Sequence, residues 1–303
     1  MTFELWYPAP PGGKATIPDS LYVQSARVED ASPVPGRRSL ILLSHGLTSR
    51  PESLAWLADR LVRCGFAVAA PQHLDPTFKT PHMDHWQRAE DLRFVLTYLL
   101  QSDDGRRSID SRKVGMAGFS LGGGTGIWLA GGRASAYRRT ANPGPRWAPP
   151  DEFPPVDSPI YRRLMETTDF KAAAADHSDP RIRAFYLMAP SLGWAFEPQD
   201  LARIHRPLRI VVGKNDEMLV PETNALHYAR SIAGSELMVL PPPTGHFVFH
   251  AALRPGQESR FDPDGTLRAI YTDPPGVDRR DVQHTVAADC CAFFQRWLLS
   301  PSP

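Results

Sequence analysis

A serine flanked by two glycines offers the clearest chemistry in this sequence. Residues 118–122 read Gly-Phe-Ser-Leu-Gly, with Ser120 at the centre. An apolar run precedes this pentapeptide, and a helical segment over residues 121–130 follows it. The pattern G-x-S-x-G between a strand and a helix is typical of a tight turn that lifts a nucleophilic serine above a sheet. Ser120 is therefore a candidate nucleophile, close to a helix N-terminus that favours developing negative charge.

A serine hydroxyl is a weak nucleophile at neutral pH and needs a base that an acid orients. Asp216 follows the apolar run 208–212, and His246 follows the run 237–240. The order serine, acid, histidine, with each residue after a strand, fits a catalytic triad. Glu217 is a rival for the role of the acid. The sequence thus predicts that Ser120, Asp216 and His246 form the triad.

Acyl transfer also needs two N–H groups that hold the negative oxygen of the tetrahedral intermediate. One of them belongs to the residue after the nucleophile, Leu121. The second comes from an earlier loop, which reads His45-Gly46-Leu47 after the apolar run 40–44. Because Gly46 lets the backbone approach the serine, we expect the N–H groups of Leu47 and Leu121 to form the oxyanion hole.

Short apolar runs alternate with segments of helical periodicity along most of the chain. A continuous apolar run indicates a strand that is buried on both faces, and strand–helix alternation indicates a mostly parallel, twisted sheet with helices on both faces. The fold class is therefore α/β. We expect buried strands at 40–44, 66–70, 114–118, 185–188, 208–212 and 237–240, and antiparallel edge strands at 3–7 and 22–29.

Taken in order, these motifs resemble the α/β-hydrolase superfamily. Within it, the chain is similar to bacterial serine hydrolases related to dienelactone hydrolases and to platelet-activating-factor acetylhydrolases. The resemblance implies the α/β-hydrolase fold, the triad Ser120, Asp216 and His246, and cleavage of a carboxylic ester through an acyl-enzyme. It rests on residues 6–9, 44–46, 65–73, 118–122, 189–193, 212–216 and 245–247. Dienelactone hydrolases themselves carry cysteine where this chain has Ser120.

Loops that leave the carboxyl ends of the strands lie on the same side of the sheet as Ser120. Four aromatic residues in such loops are expected to bind substrate: Phe78, Trp194, Phe196 and Phe249. We expect a single α/β-hydrolase domain over residues 1–303, with a proline-rich and helical insertion at 133–178. Whether residues 133–178 or 250–277 cover the active site stays open, as does the oligomeric state.

Composition excludes several other classes of protein. The chain has 34 Lys and Arg against 33 Asp and Glu, a net charge of +1 that argues against nucleic-acid binding. No apolar run approaches the roughly 18 residues that span a bilayer. Three cysteines are too few for a disulfide framework and are compatible with a reducing compartment. The first residues lack a secretory signal pattern, so we expect a cytoplasmic location, or an extracellular or periplasmic one if a leader has been removed.

Two motifs that suggest cofactors are incomplete. His82, Asp84 and His85 are loosely spaced like metal ligands, but no complete ligand set is evident. The glycines at 122–126 lie within a helix and not before it, which argues against a dinucleotide site. We therefore expect a small-molecule ester substrate, no metal and no cofactor. Two alternatives stay open: cleavage of another acyl bond, such as a thioester, amide, lactone or polyester, and a non-catalytic ligand-binding scaffold.

Overall fold

The computed structural model describes residues 1–75, 84–136 and 158–300, and its centre is a seven-stranded sheet in the order β1-β3-β2-β4-β5-β6-β7. Strand β1 pairs with β3 in antiparallel orientation, and the other neighbouring strands are parallel. The predicted α/β-hydrolase architecture is thereby confirmed. The strands are β1 (Phe3–Trp6), β2 (Arg38–Ser44), β3 (Ala67–Pro71), β4 (Ile109–Phe119), β5 (Ile182–Met188), β6 (Leu208–Gly213) and β7 (Glu236–Leu240).

Helices follow most of the strands. The α-helices are α1 (Ala55–Arg63), α2 (Gln87–Gln101), α3 (Asp103–Ser108), α4 (Leu121–Ala130), α5 (Pro159–Thr167), α6 (Phe170–Ala173), α7 (Pro198–Leu201), α8 (Ala225–Ser231), α9 (Glu258–Phe261), α10 (Arg268–Tyr271) and α11 (Arg279–Phe294). Short 3₁₀ turns occur at Pro51–Leu54, Gly193–Ala195 and Phe247–Phe249, and a π turn at Gln295–Leu299. Across the described ranges, the structure contains no helix with both the length and the apolar composition that crossing a bilayer requires.

Two apolar layers cover the sheet, one on each face. Side chains alternate between the faces of a strand, so Leu40 and Leu42 of β2 point to one layer while Ile41 and Leu43 point to the other. Helices α2, α4 and α8 complete the first layer, and α1 and α11 complete the second. All four β2 side chains are fully buried, which explains why this strand reads as a continuous apolar run.

Two segments differ from expectation or lie partly outside the described residues. The edge strand expected at 22–29 does not form, and the structure has only isolated bridges there, Thr16 with Arg27 and Tyr22 with Leu253. Within the insertion at 133–178, residues 137–157 lie outside the described ranges. The part that follows packs beside α4, where the Trp128 Nε1–H donates to the Ala173 carbonyl at 3.0 Å.

A disulfide joins the two helices of the second layer. Cys64, at the end of α1, is bonded to Cys291 of α11, and Cys290 is a buried free thiol. The expectation drawn from the cysteine count missed this bond, because 227 positions separate the two partners and only the packing of α1 on α11 brings them together. A disulfide of this kind is typical of an oxidising compartment.

We expect the disulfide to contribute about 2–4 kcal/mol to the free energy of unfolding, because it restricts the unfolded chain over a long loop. A variant carrying both Cys64→Ser and Cys291→Ser should unfold at a lower temperature than the wild type. A thiol reductant should lower the melting temperature of the wild type and leave that of the double variant unchanged. Equal melting temperatures for oxidised wild type and variant would contradict this assignment.

Candidate active site

Ser120 occupies the turn between β4 and α4, with its backbone at φ 55° and ψ −117°. A positive φ is uncommon for a residue with a Cβ and marks a turn held by its surroundings. The Ser120 N–H donates to the Met188 carbonyl at 2.9 Å. The Ser120 carbonyl accepts from Gly124 at 3.0 Å and from Ser191 at 3.1 Å. The turn is therefore fastened to α4, to the end of β5 and to the loop after it.

The glycines on either side of Ser120 are required by close backbone contacts. A Cβ on Gly118 would lie 2.3 Å from the Gly122 carbonyl oxygen. A Cβ on Gly122 would lie 2.1 Å from the Ser44 carbonyl oxygen. Both distances are far shorter than van der Waals contact, so a side chain at either position would force α4 away from the sheet. The steric reason that the motif predicts for these glycines is confirmed.

His246 and Asp216 lie next to Ser120 in the order that a proton relay needs. His246 Nε2 is 3.1 Å from Ser120 Oγ, and His246 Nδ1 is 2.8 Å from Asp216 Oδ2. The other Asp216 oxygen accepts the N–H groups of Met218 at 3.0 Å and Leu219 at 2.7 Å, which fixes the carboxylate. His246 is 2% exposed and Asp216 is 8% exposed. The arrangement can move a proton from the hydroxyl to the imidazole and stabilise the imidazolium.

Glu217, the rival acid, has a different partner. Its Oε2 accepts the backbone N–H of His246 at 2.8 Å. A Cβ on Gly245 would lie 2.2 Å from the same oxygen, so the glycine before the histidine leaves room for this carboxylate. Glu217 therefore anchors the backbone of the histidine loop, while Asp216 contacts the imidazole ring.

The two expected oxyanion donors lie on either side of the serine turn. Leu121 is the first residue of α4, so its N–H has no acceptor within the helix. Leu47 follows Gly46, and a Cβ on Gly46 would lie only 3.6 Å from Ser120 Cβ. The loop backbone therefore passes close to the candidate nucleophile. In the described part of the chain, no acceptor takes the Leu47 N–H.

Two buried histidines lie behind the loop that carries Leu47. His45 Nε2 accepts the backbone N–H of His73 at 3.2 Å. His73 bonds Asp91 Oδ2 through Nδ1 at 2.7 Å and Ser44 Oγ through Nε2 at 3.0 Å. Burial, reinforced by the charge of Arg88, holds the pKa of both histidines well below the usual value. Burial also raises the pKa of the Asp91 carboxyl to about 6.

Two of the aromatic residues expected to bind substrate lie in the core instead. Phe196 is 2% exposed, and its ring centroid is 5.1 Å from that of Trp128 and 5.9 Å from that of Tyr228. Phe249 is fully buried, 5.8 Å from the Phe119 ring. Their positions in loops suggested access to substrate, but both side chains turn inward and fill the apolar layers.

The remaining expectations on pocket and metal residues have mixed outcomes. Trp194 is half-buried at the edge of the first apolar layer. Phe78 and His82 lie outside the described residues. Among the residues described, no group of three or more histidine, cysteine, aspartate or glutamate side chains is arranged to hold a metal ion.

Sequence reasoning missed several residues that support the site. The Phe119 ring lies 4.9 Å from the His246 ring and would be 3.3 Å from a Cβ on Gly46, so it packs beneath both loops. Arg88 is 4% exposed and contacts the loop that carries Leu47. The sequence could have indicated that Arg88 is buried, because it lies four residues before Leu92 in the apolar stripe of α2. A cation in a buried stripe must have partners.

The geometry agrees with a comparison to known families. A model of PET hydrolase-like proteins matches residues 30–186, more than half of the chain. The chain belongs to the PET hydrolase-like family. The α/β-hydrolase resemblance drawn from the motifs is thereby confirmed.

Individual relatives of this PET hydrolase-like chain match it over part of its length. A bis(hydroxyethyl) terephthalate hydrolase of Streptomyces coelicolor is 30% identical over 156 residues, which is 52% of this chain and 46% of that protein. Cutinase est1 of Thermobifida alba is 30% identical over 153 residues, 50% of this chain and 48% of the cutinase. The chain thus spans about half the length of the curated relatives it matches. A ferulic acid esterase structure from Streptomyces cinnamoneus shares the fold, with a TM-score of 0.66 at 22% identity over 99% of this chain and 84% of that one.

The cytoplasmic location expected from the N-terminus is wrong. The matched cutinases and the terephthalate-ester hydrolase are secreted extracellular enzymes. The disulfide between Cys64 and Cys291 points in the same direction, since such bonds persist in oxidising surroundings. The absence of a recognisable signal pattern in the first residues was a poor guide to location.

Another buried histidine, His250, predicts that the fold is sensitive to acid. Burial lowers the pKa of His250 to about 4, from 6.5 in an exposed chain. Between pH 4 and pH 6.5 the unfolded chain binds a proton at His250 that the folded chain does not bind. The free energy of unfolding therefore falls as the pH drops from 6.5 towards 4, by up to about 3 kcal/mol. His250→Gln, which can still accept from the Ser49 hydroxyl that bonds His250 Nε2, should show a shallower fall in melting temperature over this range.

The exposed His284 provides the control, because its side chain meets solvent in both states. His284→Gln should follow the wild-type curve of melting temperature against pH. A curve for His250→Gln as steep as that of the wild type would contradict the predicted role of His250.

Proposed function

We propose that this protein is a serine hydrolase of carboxylic esters. The observation that carries the proposal is the continuous relay from Ser120 Oγ to His246 and from His246 to Asp216, at 3.1 Å and 2.8 Å. The membership of the PET hydrolase-like family and the names of the matched relatives support the same activity.

In the first half of the reaction, Ser120 Oγ attacks the ester carbonyl carbon while His246 Nε2 takes the hydroxyl proton. Asp216 holds the imidazole through its Nδ1–H and stabilises the positive charge that forms. The Leu47 and Leu121 N–H groups hold the negative oxygen of the tetrahedral intermediate. The intermediate collapses when the carbon–oxygen bond to the alcohol breaks, and His246 gives its proton to the departing alcohol. The acyl group is then an ester of Ser120.

In the second half, water repeats the attack on the acyl-enzyme. His246 takes a proton from the water, and the same two N–H groups hold the second tetrahedral intermediate. When this collapses, the bond to Ser120 Oγ breaks and His246 returns the proton to it. The products are one carboxylic acid and one alcohol, and the reaction needs no cofactor.

The proposal predicts that Ser120→Ala removes nearly all esterase turnover, by roughly 10⁴-fold or more in kcat, because no nucleophile remains. The melting temperature should change little, since the substitution removes one oxygen from a partly exposed side chain. Turnover of p-nitrophenyl butyrate by purified protein measures the effect. A fluorophosphonate should label the wild type at Ser120 and leave the variant unlabelled. Wild-type turnover in Ser120→Ala would refute the mechanism, and an unreactive wild type would favour a ligand-binding scaffold.

Asp216→Asn and Glu217→Gln form a matched pair on adjacent residues and belong to the same test. Asp216→Asn should lower kcat by roughly 10⁴-fold, because a neutral amide neither fixes the tautomer nor stabilises imidazolium. Glu217→Gln should cost far less, because its amide oxygen can still accept the His246 N–H. Reversed losses would assign the acid role to Glu217.

The substrate class follows from apolar side chains around the candidate site. Leu47 follows the glycine that passes Ser120, and Met218 donates its N–H to Asp216; both side chains are about half exposed. Exposed apolar side chains at a catalytic rim favour an apolar acyl group. Because one matched relative is named a bis(hydroxyethyl) terephthalate hydrolase, we include esters of aromatic acids among the proposed substrates, with polyesters as the extended case.

For aliphatic esters, kcat/KM should rise from acetyl to about butyryl or hexanoyl, by up to about fourfold per methylene, because each buried methylene gains about 0.8 kcal/mol. At an open rim, further methylenes stay in solvent and add no favourable free energy, so longer chains should be poorer substrates. A panel of p-nitrophenyl esters from C2 to C16, measured below and above micelle formation, tests this. Best activity at C14–C16 with a rise at the interface would indicate a lipase-type lid instead.

A further inference from the structure

A buried arginine of α2 forms hydrogen bonds to the loop that carries Leu47. Arg88 donates through Nη1 to the His45 carbonyl at 2.6 Å and through Nη2 to the Gly46 carbonyl at 3.1 Å. It also forms a two-point pair with Asp75, from Nε to Oδ1 at 2.8 Å and from Nη2 to Oδ2 at 2.5 Å. The side chains of both residues are at most 7% exposed. A planar guanidinium suits this combination of donors.

Asp75 forms a hydrogen bond to the same loop on the other side of Leu47. Its Oδ2 accepts the backbone N–H of Thr48 at 2.6 Å. Thr48 has a φ of 55°, a conformation that a β-branched residue adopts only when its surroundings impose it. The pair of Arg88 and Asp75 therefore holds the carbonyls of the two residues before Leu47 and the amide of the residue after it.

These contacts, together with the His45 Nδ1–H, which also donates to the Gly46 carbonyl at 2.8 Å, set where the Leu47 N–H points. The Gly46 carbonyl and the Leu47 N–H belong to one planar trans peptide, so they point in opposite directions. Because Arg88 binds the carbonyl on the buried side, the N–H is directed away from Arg88. Gly46 itself lies against the Ser120 turn. A cation on the carbonyl oxygen also polarises the peptide and strengthens its N–H as a donor.

We propose that Arg88 and Asp75 are positioning residues for the oxyanion hole, which aim the Leu47 N–H at the negative oxygen of the tetrahedral intermediate. This inference rests on the proposed esterase function and adds to it. Neither residue contacts the reacting atoms. Their action passes through the 46–47 peptide, so it should affect the transition state more than the binding of the ground-state ester.

The test compares Arg88→Met, Arg88→Lys and Asp75→Asn with Arg181→Met, using p-nitrophenyl butyrate. Arg181 is a matched control, because it also forms a two-point pair with an aspartate, Asp179, but lies at the start of β5, at the opposite end of the strands from Ser120. Each protein is assayed for kcat, KM, melting temperature and the dependence of kcat/KM on pH.

We expect Arg88→Met to lower kcat by about 10- to 100-fold with little change in KM. The loss should be smaller than that from removal of a donor, because the Leu47 N–H remains present, although less well aimed, and His45 still bonds the Gly46 carbonyl. Arg88→Lys keeps the charge without the two-point geometry. The kcat values of Arg88→Lys and Asp75→Asn should lie between those of Arg88→Met and the wild type. The acidic limb of the pH profile should stay in place in all of them, because the relay through His246 is untouched. Arg181→Met should keep its kcat even where its melting temperature falls.

A kcat for folded Arg88→Met within twofold of the wild type would overturn the proposal. So would a change in KM alone, or an equal loss of kcat in Arg181→Met, which would indicate a general effect of removing a paired arginine. If Arg88→Met does not fold, Arg88→Lys and Asp75→Asn decide in the same way. A wild type without Ser120-dependent turnover would overturn the esterase function and this inference together, whereas an active wild type beside an unaffected Arg88→Met would overturn this inference alone.

Discussion

The backbone conformation of Ser120 is the constraint on which the rest of the site depends. A positive φ at a residue with a side chain costs free energy of the order of 1–3 kcal/mol and persists only where neighbours impose it. Here the neighbours are the ends of three adjacent parallel strands, with Ser44 of β2 paired to Gly118 of β4, and Phe119 paired to Met188 of β5. The register of these strands sets the contacts that leave room only for glycine beside the turn. The packing of the core around these strand ends thus fixes the backbone conformation of the Ser120 turn.

Buried charges around this turn each have a full set of partners. Asp216 accepts two backbone N–H groups besides the imidazole, and Asp75 accepts from Arg88 and from Thr48. A buried charge without such partners would cost several kcal/mol. Partners fixed by the fold do not have to reorganise when charge moves during a reaction, which is the main advantage of a preorganised site over water.

The core strands and the spatial grouping of Ser120, Asp216 and His246 could be predicted from sequence, because their signals are local. Ser120, Asp216 and His246 each follow an apolar run, and chain order with strand position was enough to group them. The supporting residues depend on long-range packing that no local pattern encodes. Cys64 meets Cys291 only through helix packing, and Phe196 turns inward because Trp128 and Tyr228 surround it. Arg88 was not predicted, because the apolar stripe of α2 was interpreted only through its hydrophobic residues.

Two buried histidines lie behind the loop that carries Leu47. Burial, reinforced by the charge of Arg88, holds the pKa of His45 and His73 well below the usual value and so favours their neutral forms. They therefore act as hydrogen-bonding groups behind the Leu47 loop, where His45 bonds the Gly46 carbonyl and His73 bonds Asp91. The cation behind the Leu47 loop is then Arg88, whose guanidinium stays charged at any working pH. On the proposed mechanism, a loop braced by a buried cation and by imidazoles with fixed partners does not have to reorganise when negative charge develops beside it.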